Sequence, residues 1–217
     1  MAIPGPKMMW TQYLALRSFA ATLTAFDVNL NLQTTGDTTR AICRLPWPKI
    51  ATKHVQRSSV NIRRSFPDWS EERVREVAEG SLINLVRFFV DVLHTPRLIH
   101  RESWPNHLNT ASLGEAVGVL NTGRPVIMAT GHVGNFEILG YALSTFGYRF
   151  NALARPLDNP LVYEWLLGIR EKRGARIITK WDATDQMTGV LEEGGALGFI
   201  ADQNAGDRGV FVPFMGR

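Results

Sequence analysis

A single cysteine, Cys43, serves a chain of 217 residues. One thiol can build neither an intramolecular disulfide framework nor a cysteine zinc site. Cys43 suits a reducing compartment and reads as a small buried apolar residue rather than a nucleophile. Histidine is also sparse. His54, His94, His100 and His107 show no ligand spacing, so no metal is expected. No run of eighteen apolar residues occurs, and no segment reads as a secretory signal. Helix-turn-helix, zinc and base-stacking motifs are missing, so nucleic acid is not an expected partner. The chain also lacks repeats and low-complexity tracts.

What is present suits a globular domain. Hydrophobic residues make up 45% of the chain, enough for one sizeable core or a core with an appendage. A net charge of +4 and a pI near 9.5 favour anionic partners: phosphates, an anionic membrane face or an acidic protein. Lys49, Lys53, His54, Arg57, Arg63 and Arg64 form a basic cluster that is either a solvated face or an anion-facing one. Residues 13–32 carry Tyr13, Leu16, Ala20, Leu23 and Leu30 at helical spacing. Such a helix either packs on the domain or lies in a membrane interface. Asp68 followed by Glu71 fits a capping box that opens a long helix, with Pro96 ending it.

Residues 1–110 therefore read as an N-terminal helical region. From about 111 the pattern alternates. Helices are predicted near 113–120, 136–146, 161–173 and 184–193. Apolar strands are predicted at 126–130, 149–154, 176–179 and 196–200. Strands alternating with helices predict an α/β fold, with a largely parallel sheet flanked by helices over 111–217. The break near 105–110 reads as a seam within one continuous domain. The chain stops in the apolar run around 211–215, so a C-terminally truncated fragment is expected.

Directly after the predicted buried strand 126–130 comes Gly131-His132-Val133-Gly134-Asn135-Phe136-Glu137. His132 thus sits where a strand hands over to a helix, at the carboxyl edge where open α/β sheets bind ligands. On one continuous helix, positions five apart lie roughly 140° around the axis. His132 must then lie in the turn, with Glu137 on the first helical turn folding back towards it. Gly131 and Gly134 permit such a turn. A histidine oriented by a carboxylate can take a proton from a hydroxyl. The spacing alone is weak, since about 0.5 such matches arise by chance; a helix-capping histidine with Glu137 as surface charge fits it equally. The third glycine of a dinucleotide fingerprint is missing.

Two further segments join this one. Ala154-Arg155-Pro156-Leu157-Asp158-Asn159-Pro160 is followed by Arg170 and Gly174. Asp202-Gln203 is followed by Gly209-Val210-Phe211-Val212-Pro213-Phe214-Met215-Gly216. In this order and spacing the chain resembles the lipid A biosynthesis acyltransferases, the lauroyl and myristoyl transferases within the glycerophospholipid acyltransferase group. Upstream, an amphipathic segment, a basic stretch and Asn61-Ile62-Arg63-Arg64-Ser65-Phe66-Pro67 extend the likeness over nearly the whole chain. The family's N-terminal anchor is usually more apolar, and the family continues beyond Arg217 with a further strand.

The resemblance implies transfer of an acyl chain from an acyl carrier protein thioester to a hydroxyl of a phosphorylated glycolipid. The expected location is the cytoplasmic face of the bacterial inner membrane, with peripheral or monotopic contact to the membrane surface. No cofactor is expected. His132 would be the general base and Glu137 would hold the imidazole tautomer. Backbone N–H groups near Gly134 and Asn135, or Arg155 and Arg170, are candidates for binding the oxyanion. Arg155, at a strand end, suits a phosphate. Asp202 closes a strand on the rim that carries His132 and would hold an arginine or the sugar. Asn159 reads as a helix cap. The alternatives are another lipid acceptor, such as a mannosylated phosphatidylinositol or a lysophospholipid, and a catalytically silent membrane-bound scaffold.

Overall fold

Asp27 breaks what the apolar pattern reads as one helix over 13–32. Its backbone is extended, and its carboxylate accepts from Asn29 N at 2.8 Å and Leu30 N at 3.3 Å. This is an N-cap, so a new helix starts there. The computed structural model, which describes residues 5–45, 49–111, 113–179, 183–203, 209–210 and 212–213, accordingly has α1 over Pro6–Thr24 and α2 over Val28–Arg44. Then follow α3 over Lys49–Ser65 and α4 over Glu71–Leu98. The cap of α4 is Ser70, whose hydroxyl accepts from Arg73 N at 3.2 Å, and not Asp68 as the capping-box pattern predicts. Nor does Pro96 end α4. It sits inside the last turn, where the missing N–H removes one hydrogen bond without unwinding a helix that is about to stop.

The chain forms two compact units that are each discontinuous in sequence: Met1–Thr22 with Val92–Gln203, and Leu23–Asp91 with Asn204–Arg217. In the second, the Arg87 guanidinium lies against bare backbone at Gly36 and donates from Nε to Leu32 O at 3.0 Å. Val74, Ala78 and Ile83 are buried there. Cys43 is buried too, and burial, then the Glu79 carboxylate, raises its thiol pKa. That is the state of a packing residue rather than of a reactive thiol.

The first unit is the α/β one. After α5 (Gly114–Leu120) come β1 (Val126–Thr130), α6 (Phe136–Thr145), β2 (Phe150–Leu153), α7 (Pro160–Arg170), β3 (Arg176–Ile178), α8 (Ala183–Glu192) and β4 (Ala196–Ile200). A single 3-10 turn, Glu171–Arg173, extends α7. All strands pair in parallel, in the order β1-β4-β2-β3. On one face Leu143, Phe150, Ala175 and Ala196 form a core under α6. On the other, Ile178 and Leu197 pack with Val190 of α8. The fold is therefore α/β, as the alternating pattern predicts. The strand 126–130 is present at its predicted bounds, but it is not buried. It lies at the sheet edge beside β4, and Ile127 is 62% exposed.

Asn159 caps α7 through Oδ1, which accepts from Leu161 N and Val162 N. Its Nδ2 also donates to Met9 O at 3.0 Å and to Gln12 Oε1 at 3.1 Å, tying α1 to this unit. The Arg17 guanidinium lies 5.3 Å from the Trp165 ring centroid, within cation–π range.

Candidate active site

Strand register brings the two central side chains together. β1 and β4 are parallel neighbours with Thr130 opposite Ile200. Residues two positions past those partners, His132 and Asp202, therefore emerge side by side on the carboxyl rim. Gly131 lets them close up, because a Cβ there would lie 2.9 Å from Asp202 Oδ2. Asp202 Oδ2 accepts from His132 N at 2.7 Å, and Oδ1 is 2.6 Å from His132 Nδ1. The hydrogen bond from the imidazole, then the one from the His132 backbone, holds the Asp202 carboxyl below its ordinary pKa. An ionised Asp202 can only accept, so Nδ1 carries a proton, and in the neutral imidazole it is Nε2 that keeps a lone pair. The Gln203 amide nitrogen lies 3.3 Å from Nε2 and donates to it in that tautomer. The Phe136 ring meets the imidazole edge-on, with centroids 4.9 Å apart.

Glu137 does something else. It stands in the first turn of α6, where its carboxylate accepts from Arg170 Nε at 2.9 Å and Arg170 Nη2 at 2.5 Å. Both side chains are largely covered, at 20% and 25% exposed. The carboxylate that meets the imidazole is thus Asp202, and the one that holds an arginine is Glu137; the expected partners are exchanged. The cause is direction. By Glu137 the chain has entered α6 and the side chain faces α7, whereas Asp202 leaves the adjacent strand level with His132. The Asn135 side chain caps α6, accepting from Ile138 N at 3.3 Å. Gly134 has φ of 60°, a left-handed conformation that favours glycine.

Arg155 leaves β2 two residues past Leu153 and is exposed on the same rim. Among the described residues it has no carboxylate partner, in contrast to Arg170. His132, Arg155 and Gln203 line the mouth of a cavity of about 550 Å³ on the α6 face of the sheet. Its wall combines the apolar side chains of Met128, Leu139, Phe150, Ala152 and Ile177 with the Glu137–Arg170 ion pair. Polar groups on the rim and a continuous apolar stretch of wall suit a ligand with a polar reacting end and an apolar tail. Phe136 and the apolar wall are not legible in the sequence, because nothing in their spacing separates a cavity wall from ordinary core.

The described residues include no gathering of three His, Cys, Asp or Glu side chains of the kind that holds a metal ion. No helix among them is long and apolar enough to cross a membrane. The family model for bacterial lipid A biosynthesis acyltransferases matches residues 29–217. The chain belongs to that family and is an acyltransferase. None of the curated proteins matches it.

Proposed function

We propose that this member of the lipid A biosynthesis acyltransferase family moves a fatty acyl chain from an acyl carrier protein thioester to a hydroxyl of a phosphorylated glycolipid, with His132 as general base and Asp202 as its orienting carboxylate. The observation that carries this reading is the 2.6 Å contact from His132 Nδ1 to Asp202 Oδ1 at a cavity with a long apolar stretch of wall. With Nδ1 committed to Asp202, Nε2 is the basic atom. The incoming hydroxyl displaces the Gln203 amide and gives its proton to Nε2 as its oxygen attacks the thioester carbonyl. A C–O bond forms and the carbonyl electron pair moves onto oxygen. Collapse of this intermediate breaks the C–S bond, and the imidazolium returns the proton to the departing thiolate. Asp202 stabilises the imidazolium meanwhile. No serine or cysteine nucleophile is required, because the acceptor oxygen is the nucleophile. The backbone N–H groups at Gly134 and Asn135, at the positive end of α6, are the proposed oxyanion donors.

Arg155 is the proposed anchor for the acceptor phosphate, since Arg170 is already neutralised by Glu137. Removing a charged hydrogen bond of this kind by Arg155→Met should raise the acceptor KM by about 10- to 100-fold with little change in kcat. Arg155→Lys should recover only part, because a point charge cannot replace a bidentate fork. Steady-state kinetics over acceptor concentration check this, and an unchanged KM in Arg155→Met would remove the assignment. The overall reading is tested by incubating the protein with an acyl carrier protein thioester and a lipid A precursor and weighing the product. Equal transfer to a glycolipid lacking phosphate would overturn the proposed acceptor class.

Membrane contact is proposed through α1. Met8, Trp10, Leu14, Leu16 and Phe19 are each at least 44% exposed. Ala20 marks the buried side, and the exposed apolar residues flank it rather than forming one outer stripe. Burial of such a helix at an interface grows with its apolar area. Vesicles containing anionic lipid should bind the protein, and Trp10→Ser with Phe19→Ser should weaken that binding by about tenfold or more. Cosedimentation measures it; full binding by the double variant would sink the role of α1.

A further inference from the structure

We infer that the Phe150 ring, seated in a notch between Gly140 and Gly198, is the floor of the cavity and limits the length of acyl chain that the enzyme accepts. The inference rests on the acyltransferase reading above and adds the residue that selects among donors. Phe150 is the first residue of β2, at the opposite end of that strand from Leu153 and the Arg155 rim. Its Cα stands three residue steps before Leu153, and its ring reaches over Gly198, the register partner of Ala152. It belongs at once to the cavity wall and to the packed core beneath α6.

Two glycines hold the ring there. A Cβ on Gly140 would lie 2.6 Å from Phe150 Cε1, and a Cβ on Gly198 would lie 2.4 Å from Phe150 Cζ. Gly140 comes from α6 and Gly198 from the neighbouring strand β4. The ring therefore touches bare backbone on its helix side and on its sheet side, and any side chain at either place would claim the space it fills. Leu143 and Ala196, 3% and 5% exposed, belong to the same core cluster as Phe150, Ala196 as its register partner on β4. The cavity lies in front. Phe150 is thus the boundary between closed core and open space, and it shares its core cluster with hydrocarbon side chains, among them Leu139 and Ala152, which also line the cavity. The part of a thioester donor that can reach it is the methyl end of the acyl chain.

The side chain at 150 and the residues beside it then act in opposite directions. Phe150→Leu and Phe150→Ala remove ring atoms and deepen the cavity. Gly140→Ala adds a methyl where the ring lies. The sheet at Gly198 blocks sideways escape and the packed core blocks retreat, so the ring moves into the cavity and shortens it. Gly140 is helical, so the alanine variant also gains helix propensity, which protects the fold.

The test is kcat/KM for acyl thioesters of graded length, together with binding of free fatty acids of the same lengths, on wild-type protein and variants. Phe150→Leu should shift the preferred chain upward, with about a fourfold change in relative kcat/KM for each additional methylene accommodated. Phe150→Ala should shift it further, and Gly140→Ala should shift it downward. Val190→Ala, a truncation on the opposite face of the sheet, should leave the length profile unmoved. If Phe150→Ala does not fold, the leucine variant, which removes fewer atoms, carries the result. Thioester turnover with a length profile unmoved by Phe150→Leu and Gly140→Ala, or lowered equally at all lengths, would overturn the floor assignment. Absence of turnover with a fatty-acid profile that still shifts in Phe150→Leu would keep the floor and overturn the transfer reading. If neither turnover nor fatty-acid binding occurs, both fall.

Discussion

Alanine in place of His132 is expected to lower kcat/KM for acyl transfer by about 10²- to 10⁴-fold, the range associated with loss of a general base. The fold should survive. The imidazole is 35% exposed and meets Phe136 only at its edge, so truncation removes little buried surface. Asp202 keeps its hydrogen bond from the backbone N of residue 132, which does not depend on the side chain. The expected change in stability is therefore small, within about 1 kcal/mol. Thermal melting and turnover measured on the same preparation separate the two effects. Wild-type turnover by a folded alanine variant would remove His132 from the chemistry. A collapse in melting temperature would show instead that the ring is a structural element of the rim.

The parts of this architecture that the sequence makes legible are the local ones. The strand 196–200 occurs at its predicted bounds, and 126–130 does as well, because continuous apolar runs bounded by turn residues leave few alternatives. Asn159 before Pro160 is read correctly as a cap, since an Asn-Pro pair at a helix start satisfies the first free N–H groups. The break at Asp27 shows the limit of that approach. Apolar spacing runs on through residues 26–30, while one carboxylate over two backbone N–H groups restarts the helix. Strand order is the larger omission. Nothing along the chain says that β4 inserts between β1 and β2. That insertion is what sets Asp202 beside His132. The five-residue spacing draws attention to Glu137 because it is near in sequence, whereas Asp202 is 70 residues away. Phe150 is missed for a similar reason, because its two glycine neighbours come from a helix before it and a strand after it.

Replacing the two carboxylates by their amides should separate their roles. Asp202→Asn preserves shape, and its amide oxygen can still accept from the His132 backbone. Its amide nitrogen would then face Nδ1, so Nδ1 must become the acceptor and the proton moves to Nε2. That is the wrong tautomer for a base at Nε2, and kcat/KM should fall by about 10²- to 10⁴-fold. Glu137→Gln instead leaves Arg170 without its counter-charge at a site where both side chains are largely covered. Breaking such a pair should cost about 2 kcal/mol, or about 4–8 °C in Tm for a chain of this size. Activity should remain at least tenfold above that of Asp202→Asn. The pH dependence has a definite sign. The Asp202 carboxyl is held below its ordinary value of 3.8 by the hydrogen bonds from His132. A carboxylate with a lowered folded pKa contributes fully above its unfolded pKa, and that contribution fades only as pH falls through the folded value. The stability difference between wild type and Asp202→Asn should therefore stay level with respect to Asp202 ionisation from pH 8 to 5 and shrink only below about pH 4. Denaturant melts across that range measure it. Should Glu137→Gln lose as much activity as Asp202→Asn while melting like wild type, the orienting carboxylate would be Glu137, and the contact between His132 and Asp202 would be a feature of the resting rim alone.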